Sequence, residues 1–241
     1  MKNIRFIVEP GGVLKGRIRV PGDKSISHRS IMLGSIAEGT TQVTGFLEGE
    51  DSLATLKAFQ AMGVEISGPV DGKVTIHGVG LRGLKAPNAP LNMGNSGTSM
   101  RLLSGIVAGQ DFACELIGDA SLSKRPMKRV MDPLKLMGAD VQSRDGGVPP
   151  LKVQGHHPLK AIDYILPMAS AQVKSCVLLA GLYAEGTTKV IEPAPTRDHT
   201  ERMLRGFGYQ VESRKLDDLA TEVTLTGGGK LTATQIDVPA D

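Results

Sequence analysis

Gln60-Ala-Met-Gly-Val-Glu65 recurs in altered form as Lys135-Leu-Met-Gly-Ala-Asp140 and as Arg205-Gly-Phe-Gly-Tyr-Gln210. The three copies align on Gly63, Gly138 and Gly208. Four residues before each glycine stands Phe59, Leu134 or Leu204, and one residue before it stands Met62, Met137 or Phe207. A spacing of three puts each apolar pair on one face of a helix. Glycine then suits the helix C-terminus, where the backbone turns left-handed. After each copy comes an alternating stretch that ends in glycine: Val74-Thr-Ile-His-Gly78, Leu151-Lys-Val-Gln-Gly155 and Val223-Thr-Leu-Thr-Gly227. Alternation of this kind predicts strands with one buried face.

A further marker lies upstream. Ala37-Glu-Gly-Thr-Thr41 returns verbatim as Ala184-Glu-Gly-Thr-Thr188, with Ala108-Gly-Gln-Asp111 as a blurred middle copy. The unit is therefore a strand, a polar turn, a helix, a strand, a second helix closed by glycine, and two strands. Repeats occupy roughly residues 15–80, 81–157 and 158–228, a period longer than that of solenoids. Three copies suit a closed α/β (α+β) domain of pseudo-threefold-related βαβαββ-type units, with helices inside and sheets outside. Residues 1–14 stand outside the repeat, and Phe6-Ile-Val8 reads as a strand with no partner in the unit. Residues 229–241 read as a strand and a Pro turn that leave the domain.

Composition narrows the function. A net charge of +3, five Phe, three Tyr and no Trp do not make a stacking platform for nucleic acid. They leave room for a local basic site for a small acidic ligand. Cys114 falls in an alternating strand and Cys176 in an apolar helical run, so both read as core residues rather than disulfide or zinc partners. His156-His157 has no third ligand at a metal-site spacing. The N-terminus lacks a signal-peptide core, and no run approaches the roughly 20 apolar residues of a membrane span. The expectation is a soluble, cytoplasmic protein without cofactor or metal.

The first helix of each unit opens on small polar residues: Gly22-Asp-Lys-Ser25, Gly94-Asn-Ser-Gly-Thr98 and Ala169-Ser-Ala-Gln172. Symmetry brings these starts to one end of the domain, where free N–H groups and the helix dipole favour anions. Gly94 and Gly97 let a ligand approach the backbone. Lys124-Arg-Pro126 and Thr196-Arg-Asp-His199 open the second helices, with Pro126 expected at the first helical position. Lys24, Arg29, Arg125 and Arg197 thus face one end of the domain from separate parts of the chain. Arg is suited to bidentate capture of phosphate or carboxylate, and Lys to proton transfer. Arg101 and Lys174 read equally well as site or surface charges. His28 reads as structural, Lys128 and Arg129 as a solvated face, and Met100, Met127, Met131 and Met137 as core.

GDKSISHR, GNSGTSMR, GDASLSKRPM and SAQVKS, in this order along essentially the whole chain, resemble the 5-enolpyruvylshikimate-3-phosphate synthase family. The resemblance implies one domain of the inside-out α/β barrel of enolpyruvyl transferases. It implies transfer of the enolpyruvyl group of phosphoenolpyruvate to the 5-hydroxyl of shikimate 3-phosphate, in the shikimate pathway, with no metal. Lys24 would touch both substrates and move protons. Ser25, Arg29, Ser170, Ala171, Gln172 and Arg197 would hold shikimate 3-phosphate, and Gly97, Arg125 and Gln172 phosphoenolpyruvate. Family members are about twice as long. The chain is therefore expected to be the shikimate 3-phosphate-binding half, inactive without a second, C-terminal domain that residues 1–14 would join. Ser170-Ala171-Gln172 and Met100-Arg-Leu102 depart towards members that tolerate glyphosate, whereas Gly97 does not, so inhibitor response stays open. The sister family acting on UDP-N-acetylglucosamine carries a cysteine before its Arg-Pro, and GDASLSKRP has none. A stand-alone binder of a phosphorylated metabolite is the alternative outside enzymes.

Overall fold

The computed structural model describes residues 5–13 and 15–241. Gly63, Gly138 and Gly208 each follow a helix end with φ of 87°, 98° and 79°. Val64 N–H reaches back to Phe59 O at 3.1 Å and Gly63 N–H to Gln60 O at 3.0 Å. The same pair of bonds joins Ala139 to Leu134 and Gly138 to Lys135, and Tyr209 to Leu204 and Gly208 to Arg205. These are Schellman ends, which satisfy carbonyls that would otherwise be orphaned. The flanking Phe59, Met62, Leu134, Met137, Leu204 and Phe207 are all buried. A side chain of this size contributes about 1.5–3 kcal/mol when fully buried.

In chain order the elements are α1 (Lys24–Ile36), β1 (Glu38–Thr44), α2 (Glu50–Ala61), β2 (Glu65–Val70), β3 (Lys73–Val79), β4 (Leu91–Asn92), α3 (Gly97–Ala108) and β5 (Ala113–Ile117). A 3-10 turn at Leu122–Lys124 precedes α4 (Lys128–Leu136), β6 (Asp140–Arg144), β7 (Val148–Gln154), β8 (Leu159–Lys160) and β9 (Asp163–Ile165). The chain ends with α5 (Ala171–Gly181), β10 (Ala184–Glu185), β11 (Thr187–Glu192), α6 (His199–Gly206), β12 (Glu212–Lys215), β13 (Thr221–Thr226) and β14 (Gln235–Asp237).

Three four-stranded sheets share one strand order: β14-β1-β3-β2, β4-β5-β7-β6 and β9-β11-β13-β12. In each, the first pair is parallel and the other two pairs are antiparallel. This is the βαβαββ unit three times over. The short parallel pair β8 and β10 lies within the third unit. The crossing helices α1, α3 and α5 are buried almost all round and lie in the centre. α2, α4 and α6 bury one face, and Lys128 and Arg129 are exposed as expected. Met100, Met127, Met131, Met137, Cys114 and Cys176 all belong to the core.

The strand-end glycines have a steric cause that the pattern alone does not reveal. A Cβ at Gly78, Gly155 or Gly227 would lie 2.2, 2.1 or 2.1 Å from the carbonyl oxygen of Ala37, Gln110 or Ala184. Each last strand therefore presses its backbone against the end of its own unit's first helix, and no side chain fits. These contacts also correct the middle AEGTT copy: Gln110, not Ala108, is the counterpart of Ala37 and Ala184.

Two further expectations change. The strand expected at the head of the first unit is absent; residues 15–20 form no strand. Its place is taken by β14, whose Gln235, Ile236 and Asp237 pair with Gln42, Val43 and Thr44. The 229–241 segment therefore pairs back onto the first unit and closes the ring. Lys85, Lys160 and Thr232 donate to Met62, Met137 and Phe207 O in turn, so each unit hands the chain on in the same way, and the third hands it back to the first. Phe6, Ile7 and Val8 form no strand either and are largely exposed, since no sheet edge lies beside them to supply a ladder.

Candidate functional site

The three central helices begin side by side. Asp23, Ser96 and Ser170 cap α1, α3 and α5, accepting from Ile26, Ser99 and Val173 N–H. Polar side chains lace the starts together. His28 Nδ1 lies 2.7 Å from Thr55 Oγ1 and 3.3 Å from Ser99 Oγ, joining α1 to α2 and α3. Arg101 donates to Gln172 Oε1 at 2.9 Å, and Gln172 Nε2 donates to Thr98 Oγ1 at 3.0 Å, joining α3 to α5. Arg29 donates to Thr200 Oγ1 and Ser175 Oγ, joining α1 to α6 and α5. One face of the domain therefore carries the N–H-rich ends of three helices, where the backbone dipoles favour negative charge.

Two guanidiniums converge on that face. A Cβ at Gly97 would sit 2.8 Å from Arg101 Nη1 and 3.3 Å from Arg125 Nη1. Neither arginine has a carboxylate partner among the described residues. Arg101 donates to Gln172 Oε1 and Pro126 O, and Arg125 to Asn95 Oδ1 and Ser121 Oγ. Burial depresses the Arg101 pKa, and the nearby Arg125 and Arg129 depress it further. Like charges held this close, over a helix start and beside a residue with no side chain, are an arrangement that favours an anion. A cavity of about 520 Å³ at the other ends of α1 and α5 offers a contrast. Its Arg82 and Lys230 are matched to Asp111 and Glu38, so no charge there waits for a ligand.

Residues 8–241 match the family described as EPSP synthase (3-phosphoshikimate 1-carboxyvinyltransferase). The chain belongs to the EPSP synthase family. It is 77% identical over 239 residues to a 3-phosphoshikimate 1-carboxyvinyltransferase of Hydrogenovibrio crunogenus, covering 99% of this chain and 54% of the relative. It is 63% identical to the enzyme of that name in Methylococcus capsulatus, covering 100% of this chain and 54% of the relative. The EPSP synthase structure from Acinetobacter baumannii superposes with a TM-score of 0.89 at 64% identity, over 94% of this chain and 50% of that one. The chain spans about half the length of the curated relatives it matches. The fold is thus that of the EPSP synthase inside-out α/β architecture.

Set on that frame, the expected site residues fall at the helix-start face, in different states. Lys24 is exposed, its ammonium 3.2 Å from Asp51 Oδ2. Ser25, Ser170, Ala171 and Gln172 are half-buried at the starts of α1 and α5. Arg197 is exposed and has no side-chain partner among the described residues. It is near enough to Arg29 and His199 for its charge to help lower both pKa values. Arg29 departs from the open cation expected of it. It is 4% exposed and donates to Ser25 O, Thr200 and Ser175. Burial lowers its pKa to about 10, against the opposing field of Glu201. Pro126 is not the first helical residue: α4 starts at Lys128 behind Met127. Arg125 instead leaves the 3-10 turn with an extended backbone, which frees its side chain to reach Asn95.

Several neighbours escaped the sequence reading. Asn95, which accepts from Arg125, itself donates to Asp119 Oδ2 at 2.7 Å. The Asp119 carboxyl is held below its usual range first by Leu122 N–H and then by Asn95. The second and third motif loops are thereby locked to each other. Lys174 is no surface charge. It is fully buried, 2.9 Å from Glu192 Oε1 and 2.7 Å from Glu201 Oε1. Among the described residues no group of His, Cys, Asp and Glu is arranged to hold a metal ion, and no helix is long and apolar enough to cross a membrane.

Proposed function

We propose that the helix-start face is the shikimate 3-phosphate side of a site that transfers the enolpyruvyl group of phosphoenolpyruvate to the 5-hydroxyl of that sugar acid, in the cytoplasm. The observation that carries this reading is the pair Arg101 and Arg125 over Gly97, cations without a carboxylate partner among the described residues. Both substrates are anions, and fixed opposite charge offsets their mutual repulsion and holds them in reacting geometry. Ser25, Ser170, Ala171, Gln172 and Arg197 line the shikimate 3-phosphate side, with Arg29 beneath them bonded to the carbonyl of Ser25. Gly97, Arg125 and Gln172, with Arg101, receive the phosphate of phosphoenolpyruvate.

In the reaction the 5-hydroxyl gives up its proton as its oxygen bonds to C2 of phosphoenolpyruvate and C3 gains a proton. Loss of phosphate from C2 and of a proton from C3 restores the double bond. Lys24 stands at the edge shared by both substrates and is the group on this chain for moving a proton there. Release from Asp51 on ligand entry frees its ammonium. Residues 15–241 form this side of the site, and a second domain, in the further length of the relatives, forms the other.

Arg197→Ala tests the assignment of sides. A charge-assisted hydrogen bond contributes about 2 kcal/mol, so the variant binds shikimate 3-phosphate about 30-fold more weakly. Its affinity for plain shikimate stays at the wild-type value. Equal losses for the two ligands in calorimetric titration would remove Arg197 from the phosphate.

A further inference from the structure

Lys174 lies one turn into α5, and Glu192 and Glu201 close on its ammonium from β11 and α6. Lys174, Glu192 and Glu201 are 0%, 4% and 2% exposed. Arg29 completes the charge balance from α1, where Glu201 is the leading influence that favours its charged form. The second oxygen of Glu192 accepts a hydrogen bond from Thr196 Oγ1 at 2.6 Å. Between Glu192 and α6 the chain is Pro193-Ala-Pro-Thr-Arg-Asp198, a connection with two residues of fixed φ and two side-chain tethers, Thr196 to the buried Glu192 and Asp198 to Arg202 on the surface.

Buried ion clusters are a weak source of stability, because apolar residues of equal volume hold a core as well or better. What the cluster supplies is a fixed position for Glu192 Oε2. Thr196 is the residue next to Arg197, so the anchor reaches the exposed cation through one hydroxyl. Arg197 itself has no partner among the described residues to hold it.

We propose that Glu192, pinned by Lys174 and acting through Thr196, is a positioning residue that presents Arg197 to the phosphate of the bound sugar acid. The inference rests on the reading of Arg197 given under Proposed function. None of the three cluster residues touches the ligand. Their effect is to hold the Arg197 turn before the ligand arrives, so that less ordering is required on binding.

Five forms of the 241-residue chain test this by calorimetric titration with shikimate 3-phosphate and with shikimate: wild type, Thr196→Val, Thr196→Ser, Arg197→Ala and Thr196→Val combined with Arg197→Ala. Thr196→Val keeps the branched shape and loses the hydroxyl. Its affinity for shikimate 3-phosphate falls about tenfold, with shikimate affinity unchanged. Thr196→Ser keeps the hydroxyl and binds as the wild type does. On the Arg197→Ala background Thr196→Val costs nothing more. Wild-type affinity in Thr196→Val, or an equal loss with and without Arg197, overturns the positioning role and leaves the phosphate assignment standing. A wild type that does not distinguish the two ligands overturns both.

Discussion

Lys174→Met lowers the stability of the chain by about 3–5 kcal/mol, the cost of stripping one partner from a buried ion cluster. Glu192 and Glu201 would then face each other in the core with no cation between them, and Glu201 Oε2 already has no hydrogen-bond partner. A carboxylate cannot stay charged there without compensation, so it takes up a proton or the region opens to water. Urea unfolding measures the change as a fall in midpoint. The same Lys174→Met chain with Glu192→Gln recovers most of the loss, because Glu201 then keeps Arg29 as its counter-charge and no buried charge is left unmatched. A loss below about 1 kcal/mol in the single variant, the scale of a solvated surface pair, would mean that the lysine is not buried as described.

The second large effect is on pH. His28 is fully buried among Thr55, Ser96 and Ser99, and burial lowers its pKa from the ordinary 6.5 to about 4, with Arg29 and Lys24 adding to the fall and Asp51 and Asp23 opposing it. The folded ring is neutral at pH values where the unfolded ring is already protonated. The unfolded state therefore binds more protons between about pH 6.5 and pH 4, and stability falls as pH falls through that window. Each tenfold change in acidity is worth about 1.4 kcal/mol, so the difference between 6.5 and about 4 amounts to about 3 kcal/mol, fully lost below pH 4. Above pH 6.5 the histidine carries no such penalty. His28→Asn keeps a polar group towards Thr55 and does not titrate. Its stability curve lacks this acid limb, while carboxylate effects common to both chains cancel. Parallel curves for the two chains between pH 7 and 4 would place the wild-type ring in water.

What the sequence disclosed depended on whether a residue's reason was local. Gly63, Gly138 and Gly208 are legible because a positive φ is a property of one residue and its helix end. Gly78, Gly155 and Gly227 are legible as a pattern, but their cause, a carbonyl about 2 Å from a missing Cβ, belongs to a packed helix and cannot be read from a strand. The strand that opens the first sheet was sought next to α1 and lies at residues 235–237, because ring closure is a condition on both ends of the chain at once.

The site divides in the same way. Lys24, Ser25, Gly97, Arg125, Ser170, Gln172 and Arg197 sit in motifs at helix starts or turns, so symmetry alone placed them on one face. Arg29 has the same credentials in sequence and a different fate. Its partners Thr200 and Ser175 lie far along the chain, and they draw its guanidinium inward. Lys174 in an apolar run looked ambiguous for want of a partner, and both partners come from other elements. Arg101 needed Gly97, Gln172 and Arg125 in place before its position at the site had meaning.

Under the proposed function, three helix starts and their cations form a site for a phosphorylated sugar acid. Calorimetric titration of the wild-type chain with shikimate 3-phosphate, beside plain shikimate, measures this. Saturable one-to-one binding is expected, at least tenfold tighter for the phosphorylated ligand, the scale of one charge-assisted hydrogen bond, and weaker as salt is raised. Equal affinity for the two ligands, or no binding of either at millimolar concentration, would contradict it.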